Sequence, residues 1–262
     1  MTSTCHNARV GPDHIIGRLK ALRDARMRVL ALVEALGQGE PGLWVETLAA
    51  IVTRAQLTDD ADTQAALECV RQATADPALA YHTRSALYEA AIERGLTPIA
   101  RLFLSASPSV VAKAQLAKQL APERKLEPKG RPLTLGERKA LARTHRREDL
   151  LLLIRDPHPA VVAIFLDNPH VTESDVVRVA AQRPAVPESL TRIAAHPRWC
   201  VRHAVKRALV MNPSTPLADA IRIATTLRPQ ELAELAADPQ LPEPLRRHAA
   251  DLHAASQRRP QA

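Results

Sequence analysis

Aromatic residues are scarce in this chain, which has two Phe, two Tyr and two Trp among 262 residues. Ala and Leu supply much of its apolar content, and these residues favour helices, whereas aromatic and β-branched residues favour strands. Glycine is also scarce, with eight residues, and we find no Gly-rich phosphate loop, Gly-x-Ser-x-Gly elbow or His-Glu-x-x-His pair. We therefore expect an all-α fold, and we assign it no catalytic residue and no cofactor.

Cysteines and long apolar runs are few as well. The three cysteines, Cys5, Cys69 and Cys200, are odd in number and far apart, which is not the pattern of a disulfide framework. Apolar runs such as 150–154 fall well short of the ~20 residues of a membrane span. Residues 1–12 are polar and lack the apolar core of a signal peptide. We expect a cytoplasmic protein without a membrane partner.

The net charge of +8 comes from one segment. Residues 113–147 hold 11 Lys/Arg and 3 Asp/Glu, and three Pro and one Gly within 122–132 indicate a linker. One interpretation is a footprint for nucleic acid or another polyanion. The other is a solvated linker between two basic helix faces, since the segment has no aromatic residue for base stacking. The candidate binding residues here are Arg124, Lys125, Lys129, Arg131, Arg138, Lys139, Arg143, Arg146 and Arg147.

Prolines in the second half mark a repeat. The junctions are Asp156-Pro157, Asn168-Pro169, Arg183-Pro184, His196-Pro197, Asn212-Pro213 and Asp238-Pro239. Alternate junctions lie 26 to 29 residues apart, and a period in the twenties indicates a solenoid whose units bury their apolar faces by stacking.

Helix starts can also be predicted from these residues. Asp and Asn before Pro are expected as N-caps, because their side chains accept the free N–H groups of a first turn. Thr134 with Glu137, and Thr172 with Asp175, have the spacing of a capping box. We expect a helix to begin near Leu135.

The first half is predicted to be helical but less regular, with helices over 13–37, 42–57, 61–75, 79–94, 97–105 and 108–120. We divide the chain into an N-terminal helical region over 1–120, a basic linker over 121–133, helical repeats over 134–252 and a disordered tail over 253–262. Whether the first half continues the solenoid of the second is open, and we favour one elongated solenoid.

The junctions over about 150–250 resemble those of HEAT-like and leucine-rich repeat variant proteins. The resemblance rests on runs such as Asn168-Pro-His-Val-Thr172, Asn212-Pro-Ser-Thr-Pro216 and Asp238-Pro-Gln-Leu-Pro242. It implies a right-handed α-solenoid of stacked helix pairs. The run Leu133–Lys139 is similar to one in an uncharacterised group of bacterial proteins. The iron–sulfur cluster associated with the leucine-rich variant prototype needs clustered Cys, which this chain lacks.

The run 196–203 contains the best candidates for a metal or a partner. If it is helical, His196, Cys200 and His203 share one face, but three zinc ligands make an incomplete structural site. The favoured interpretation is that His196 is an N-cap before Pro197 and Cys200 a small core residue. Trp199 is either an interaction anchor or a cover for the seam between repeats. Arg198, Arg202, Lys206 and Arg207 would form a basic ridge beside it.

Three functions fit these patterns. The first is a non-catalytic scaffold that binds a protein partner on the extended surface of a solenoid. The second is a nucleic-acid-binding repeat protein that uses the basic segment and the ridge, with strongly salt-dependent binding. The third is a HEAT-like DNA glycosylase, which would need an acidic residue and aromatic groups on one concave face.

Overall fold

A computed structural model describes residues 11–104 and 132–257. Within these ranges the regular secondary structure consists of fifteen α-helices and no strand, which confirms the all-α prediction. None of these helices combines the length and the apolar composition needed to cross a bilayer. The helices are α1 Pro12–Ala21, α2 Ala25–Gln38, α3 Pro41–Leu57, α4 Ala61–Ala75, α5 Tyr81–Glu93, α6 Thr97–Leu102, α7 Leu135–Leu141, α8 Arg147–Leu153, α9 Pro159–Asp167, α10 Glu173–Ala180, α11 Pro187–Ala195, α12 His203–Val210, α13 Leu217–Ala224, α14 Pro229–Ala237 and α15 Glu243–Gln257.

The helix predictions for the first half need one correction. The single helix expected over 13–37 is two helices. The first ends at Ala21, where Leu22 has an extended backbone. Asp24 is the N-cap of the second, and its side chain accepts from the backbone N–H of Met27 at 2.8 Å. The helix expected over 108–120 lies outside the described residues.

The chain folds into two compact units. Unit 1 comprises Met1–Ser105 and Ile221–Ala262, and unit 2 comprises Ala106–Ala220. The boundary after residue 220 falls within α13. This division differs from the sequence-based one, which kept 134–252 together and placed a disordered tail from residue 253. Residues 253–257 instead form the last turns of α15.

Contacts between distant parts of the chain hold unit 1 together. The Arg222 guanidinium donates through Nε to the carbonyl of Leu102 at 3.0 Å and also contacts the carbonyl of Leu104. The Gln56 amide donates to the carbonyls of Thr225 and Leu227 at 3.0 and 3.1 Å. The C-terminal segment therefore completes the core begun by α1–α6.

Two ion pairs in unit 1 link helices that are not neighbours in the chain. Arg54, near the end of α3, pairs with Asp13 near the start of α1 at 2.6 Å. Arg94, just after α5, pairs with Glu46 near the start of α3 at 3.0 Å. Each ion pair therefore joins the end of one helix to the first turns of the helix two before it in the chain.

Contacts in unit 2 link corresponding ends of alternate helices. Helix α9 packs on α11, and α10 packs on α12. Polar contacts between residues 28 apart join α8 to α10. At their starts, Arg147 pairs with Asp175, and just after their ends the Gln182 amide donates to the carbonyl of Ile154. Alternate helices here are parallel, and the 28-residue spacing of these contacts matches the period of the junctions.

The two predicted capping boxes are present. Thr134 is the N-cap of α7. Its backbone N–H donates to the Glu137 carboxylate at 2.8 Å, and its hydroxyl accepts from the Glu137 backbone N–H at 3.3 Å. At the start of α10, the Asp175 carboxylate accepts from the backbone N–H and the hydroxyl of Thr172 at 3.0 and 2.7 Å. The helix predicted near Leu135 begins at that residue.

The junction residues before proline were assigned the wrong role as N-caps. Asn168, His196 and Asp238 are instead C-caps of the preceding helix, with extended backbone angles, because a following proline disfavours the helical conformation. At six junctions a side-chain atom of the residue before proline accepts from the backbone N–H two residues later, at 2.9 to 3.2 Å. The junction is thus an Asx-type turn.

Two junction asparagines also join successive repeats. The buried Asn212 amide donates to the carbonyls of Ala180 and Gln182, both at 2.7 Å, and Asn168 donates in the same way to Ala142 and Thr144 at 2.9 and 2.8 Å. Each asparagine therefore satisfies two carbonyls at the end of a helix in the previous repeat, groups that are costly to bury without a donor.

We expect Asn212→Ala to lower the free energy of unfolding by about 2 kcal/mol, since it leaves buried carbonyls without a donor. Asp238→Ala is the matched control, because Asp238 accepts the same turn hydrogen bond, from the Gln240 N–H at 2.9 Å. This variant should lower the free energy of unfolding by about 0.5 kcal/mol. Urea unfolding measures both variants. Equal costs would show that the turn, rather than the bridge between repeats, carries the energy.

Candidate functional site

The predicted basic residues have different environments in unit 2. Arg124, Lys125, Lys129 and Arg131 lie outside the described residues. Lys139 is half-buried, and the other members of the segment are buried or exposed as described below. The structure therefore separates charges that support the fold from charges that face solvent.

Arg138 belongs to the first group. Its side chain is 8% exposed and that of Asp156 is fully buried, and Nη1 of Arg138 lies 2.7 and 2.8 Å from the two carboxylate oxygens. Asp156 is the junction residue that also accepts from the His158 N–H. Arg138 was predicted as a binding residue, but its guanidinium is used inside unit 2, because a buried carboxylate needs a cation beside it.

Arg147 forms a second ion pair between repeats. Its Nη1 and Nη2 lie 2.5 and 2.6 Å from the two carboxylate oxygens of Asp175, which is buried while Arg147 is half exposed. Burial raises the pKa of Asp175, but hydrogen bonds from Arg147 and Thr172 outweigh it and lower that pKa to about 2. The Arg147 guanidinium is therefore held by Asp175 of α10 and is not available to bind a ligand.

Trp199 lies in the interior of unit 2. Its side chain is buried and its indole N–H donates to the carbonyl of Leu166 at 2.8 Å, as expected for a tryptophan that covers the seam between repeats. The Arg198 guanidinium lies 4.2 Å from the centroid of the indole ring, a cation–π contact. Lys206 is buried too, so of the proposed ridge only Arg198, Arg202 and Arg207 are exposed.

The candidate metal ligands are not arranged on one helix face. Residues 197–201 form turns, and α12 begins only at His203, because Pro197 follows a C-cap instead of opening a helix. Nε2 of His196 lies 3.1 Å from Asp167, and Cys200 is buried. Among the described residues no group of three His, Cys, Asp or Glu side chains could hold a metal ion.

Three loops of unit 2 lie side by side and carry exposed basic groups. They are the connections 142–146, 168–172 and 196–202, each between a helix of one layer and a helix of the other. We call their surface the loop edge. Its exposed basic and histidine side chains are Arg143, His145, Arg146, His170, Arg198 and Arg202.

Direct contacts fix the order of the loops in the loop edge. Besides the Asn168 bridge, the rings of His145 and His170 lie 6.3 Å apart and join the first loop to the second. The Arg198 guanidinium donates to the carbonyl of Val171 at 3.4 Å and joins the third loop to the second. The Asp167 side chain is 79% exposed beside them and contacts His196.

Unit 1 contains a cleft that sequence reasoning missed. It has a volume of about 330 Å³ and is lined by residues of α3, of the turn before α6 and of α15, including Val52, Gln56, Leu96 and Leu252. Gly95, with φ of +68°, makes the sharp turn on one wall, a conformation that favours glycine. These segments are far apart in the sequence, so no local pattern indicates that they meet.

Comparison with known proteins adds no relative: no protein-family model, no curated protein and no solved structure matches this chain.

Proposed function

We propose that this protein is a non-catalytic helical repeat scaffold of the cytoplasm that binds a protein partner, and that its repeats form a right-handed solenoid of the HEAT-like or leucine-rich variant kind. The parallel packing of alternate helices in unit 2, with contacts repeated every 28 residues, is the observation that supports this. Each helix pair is completed by the next one, and such stacking presents a row of equivalent surface positions to a partner.

The burial of charged and aromatic side chains in unit 2 favours a protein partner over nucleic acid. The basic groups Arg138 and Lys206 and the aromatic Trp199 are buried, so they do not contribute to a phosphate-binding or base-stacking surface.

Capture of partners by the tagged full-length chain from native lysate, with and without nuclease, tests this proposal. We expect a defined protein to be retained after nuclease treatment. A variant of the same chain with Asn168→Ala and Asn212→Ala, which weakens the contact between repeats, should release the partner. If the retained material disappears with nuclease, the chain binds nucleic acid instead, and the scaffold proposal is wrong.

A further inference from the structure

We propose that the loop edge of unit 2 binds an acidic polypeptide segment in the polyproline II conformation, with carboxylates three residues apart. This inference rests on the proposed scaffold function and specifies the chemistry of its partner.

Charge is the first argument. The first and third loops present exposed arginines, and the second presents an exposed histidine. These side chains are Arg143, Arg146, His170, Arg198 and Arg202. Arg146 and Arg202 both stand at N-cap positions, before α8 and α12, so they project from equivalent places two repeats apart. Guanidinium groups bind carboxylates through two parallel hydrogen bonds, which favours a partner with Asp or Glu side chains.

Preorganisation is the second argument. The Arg198 side chain is held over the Trp199 ring and against the Val171 carbonyl, and Nη1 of Arg143 donates to the carbonyl of Lys139 at 3.0 Å. Long side chains that are already ordered lose less rotamer freedom when a ligand binds. The buried Trp199 therefore contributes to binding indirectly, by positioning Arg198.

Spacing is the third argument. Packed helices lie about 8–10 Å apart, so successive loops at the ends of parallel helices are separated by a similar step. A polyproline II segment rises about 3.1 Å per residue with three residues per turn, so side chains three residues apart lie on one face with a spacing of roughly 9 Å. One carboxylate can then face each loop without a change in either backbone.

Binding of synthetic peptides to the purified full-length chain tests the inference. The probe is a labelled twelve-residue peptide of four Glu-Pro-Pro units, and its Gln-Pro-Pro counterpart lacks the charge. A sixteen-residue peptide of four Glu-Pro-Pro-Pro units keeps the four carboxylates but changes their spacing. We expect the first peptide to bind at low salt, the Gln peptide not to bind, and the respaced peptide to bind several-fold more weakly, as measured by fluorescence anisotropy.

Two double variants with the same change of charge locate the site. Arg146→Glu with Arg202→Glu alters the loop edge and should weaken binding of the Glu-Pro-Pro peptide about tenfold or more. Arg155→Glu with Arg192→Glu alters two exposed arginines outside the three loops, and its effect should stay under about threefold. Equal losses in the two double variants, or no binding of the Glu-Pro-Pro peptide, would overturn the inference.

A single-stranded oligonucleotide of twelve nucleotides serves as the competing probe. If it binds at the loop edge more tightly than the acidic peptide, the inference fails in favour of nucleic acid. The failure of the scaffold proposal is seen separately, in the capture experiment. If a protein partner survives nuclease and is still retained by the Arg146→Glu/Arg202→Glu variant, the scaffold stands and the loop edge is not its binding site.

Discussion

Arg138→Met is expected to lower the free energy of unfolding by about 4 kcal/mol, since removing one partner of a buried ion pair leaves the other charge without compensation. Methionine keeps most of the volume of arginine, so the loss reports the charge rather than a cavity. The Asp156 carboxylate that remains is fully buried. Urea unfolding of the purified variant at neutral pH measures the change.

A matched control and a rescue identify the cause. Arg247→Met removes an arginine from a pair in which both side chains, Arg247 and Glu243, are more than half exposed, and such pairs contribute less than about 1 kcal/mol. Asp156→Asn added to Arg138→Met neutralises the unpaired charge and keeps an oxygen for the junction turn, so it should restore part of the stability. If the double variant is no more stable than Arg138→Met alone, an unpaired carboxylate is not the reason for the loss.

The burial of Arg138 could not be predicted from the sequence. Basic residues near a linker suggested a surface, but a buried salt bridge depends on a partner 18 residues away, which composition cannot indicate. For Trp199 a signal was present: the position 28 residues earlier is Val171, which is also buried. Applying the repeat period to each position in turn would have predicted an interior tryptophan.

The capping boxes were predicted better than contacts between distant residues. The capping boxes at Thr134 and Thr172 act within four residues, so spacing alone was enough to place the starts of α7 and α10. Assembly of unit 1 depends instead on contacts such as Arg222 with Leu102, which are 120 residues apart. The loop edge could be predicted in part. The repeat period predicts equivalent loops, whereas the exposure of each arginine depends on which neighbours pack against it.

The second large effect is a loss of stability in acid, which we expect from His248 in α15 of unit 1. Its side chain is fully buried, and Nε2 lies 3.2 Å from the Thr225 hydroxyl. That hydroxyl donates to the Ile221 carbonyl at 3.0 Å, so the hydrogen-bond network assigns the imidazole proton to Nε2. Nδ1 has no hydrogen-bond partner in the part of the chain that the structure describes. Burial, with a smaller contribution from the nearby charge of Arg101, lowers the pKa of His248 to about 3.

A folded-state pKa below the unfolded value means that the unfolded chain binds a proton more readily, so the free energy of unfolding falls as the pH drops below the unfolded pKa of about 6.5. At 1.36 kcal/mol per pH unit, this group alone removes about 4 kcal/mol between pH 6.5 and pH 3.5. His248→Phe fills a similar space without a titrating group and leaves the Thr225 bond to Ile221 in place. We expect it to flatten the pH dependence of urea unfolding, while His82→Gln, at an exposed histidine, leaves that dependence unchanged. Parallel curves for the wild type and His248→Phe would show that His248 does not control the acid stability of unit 1.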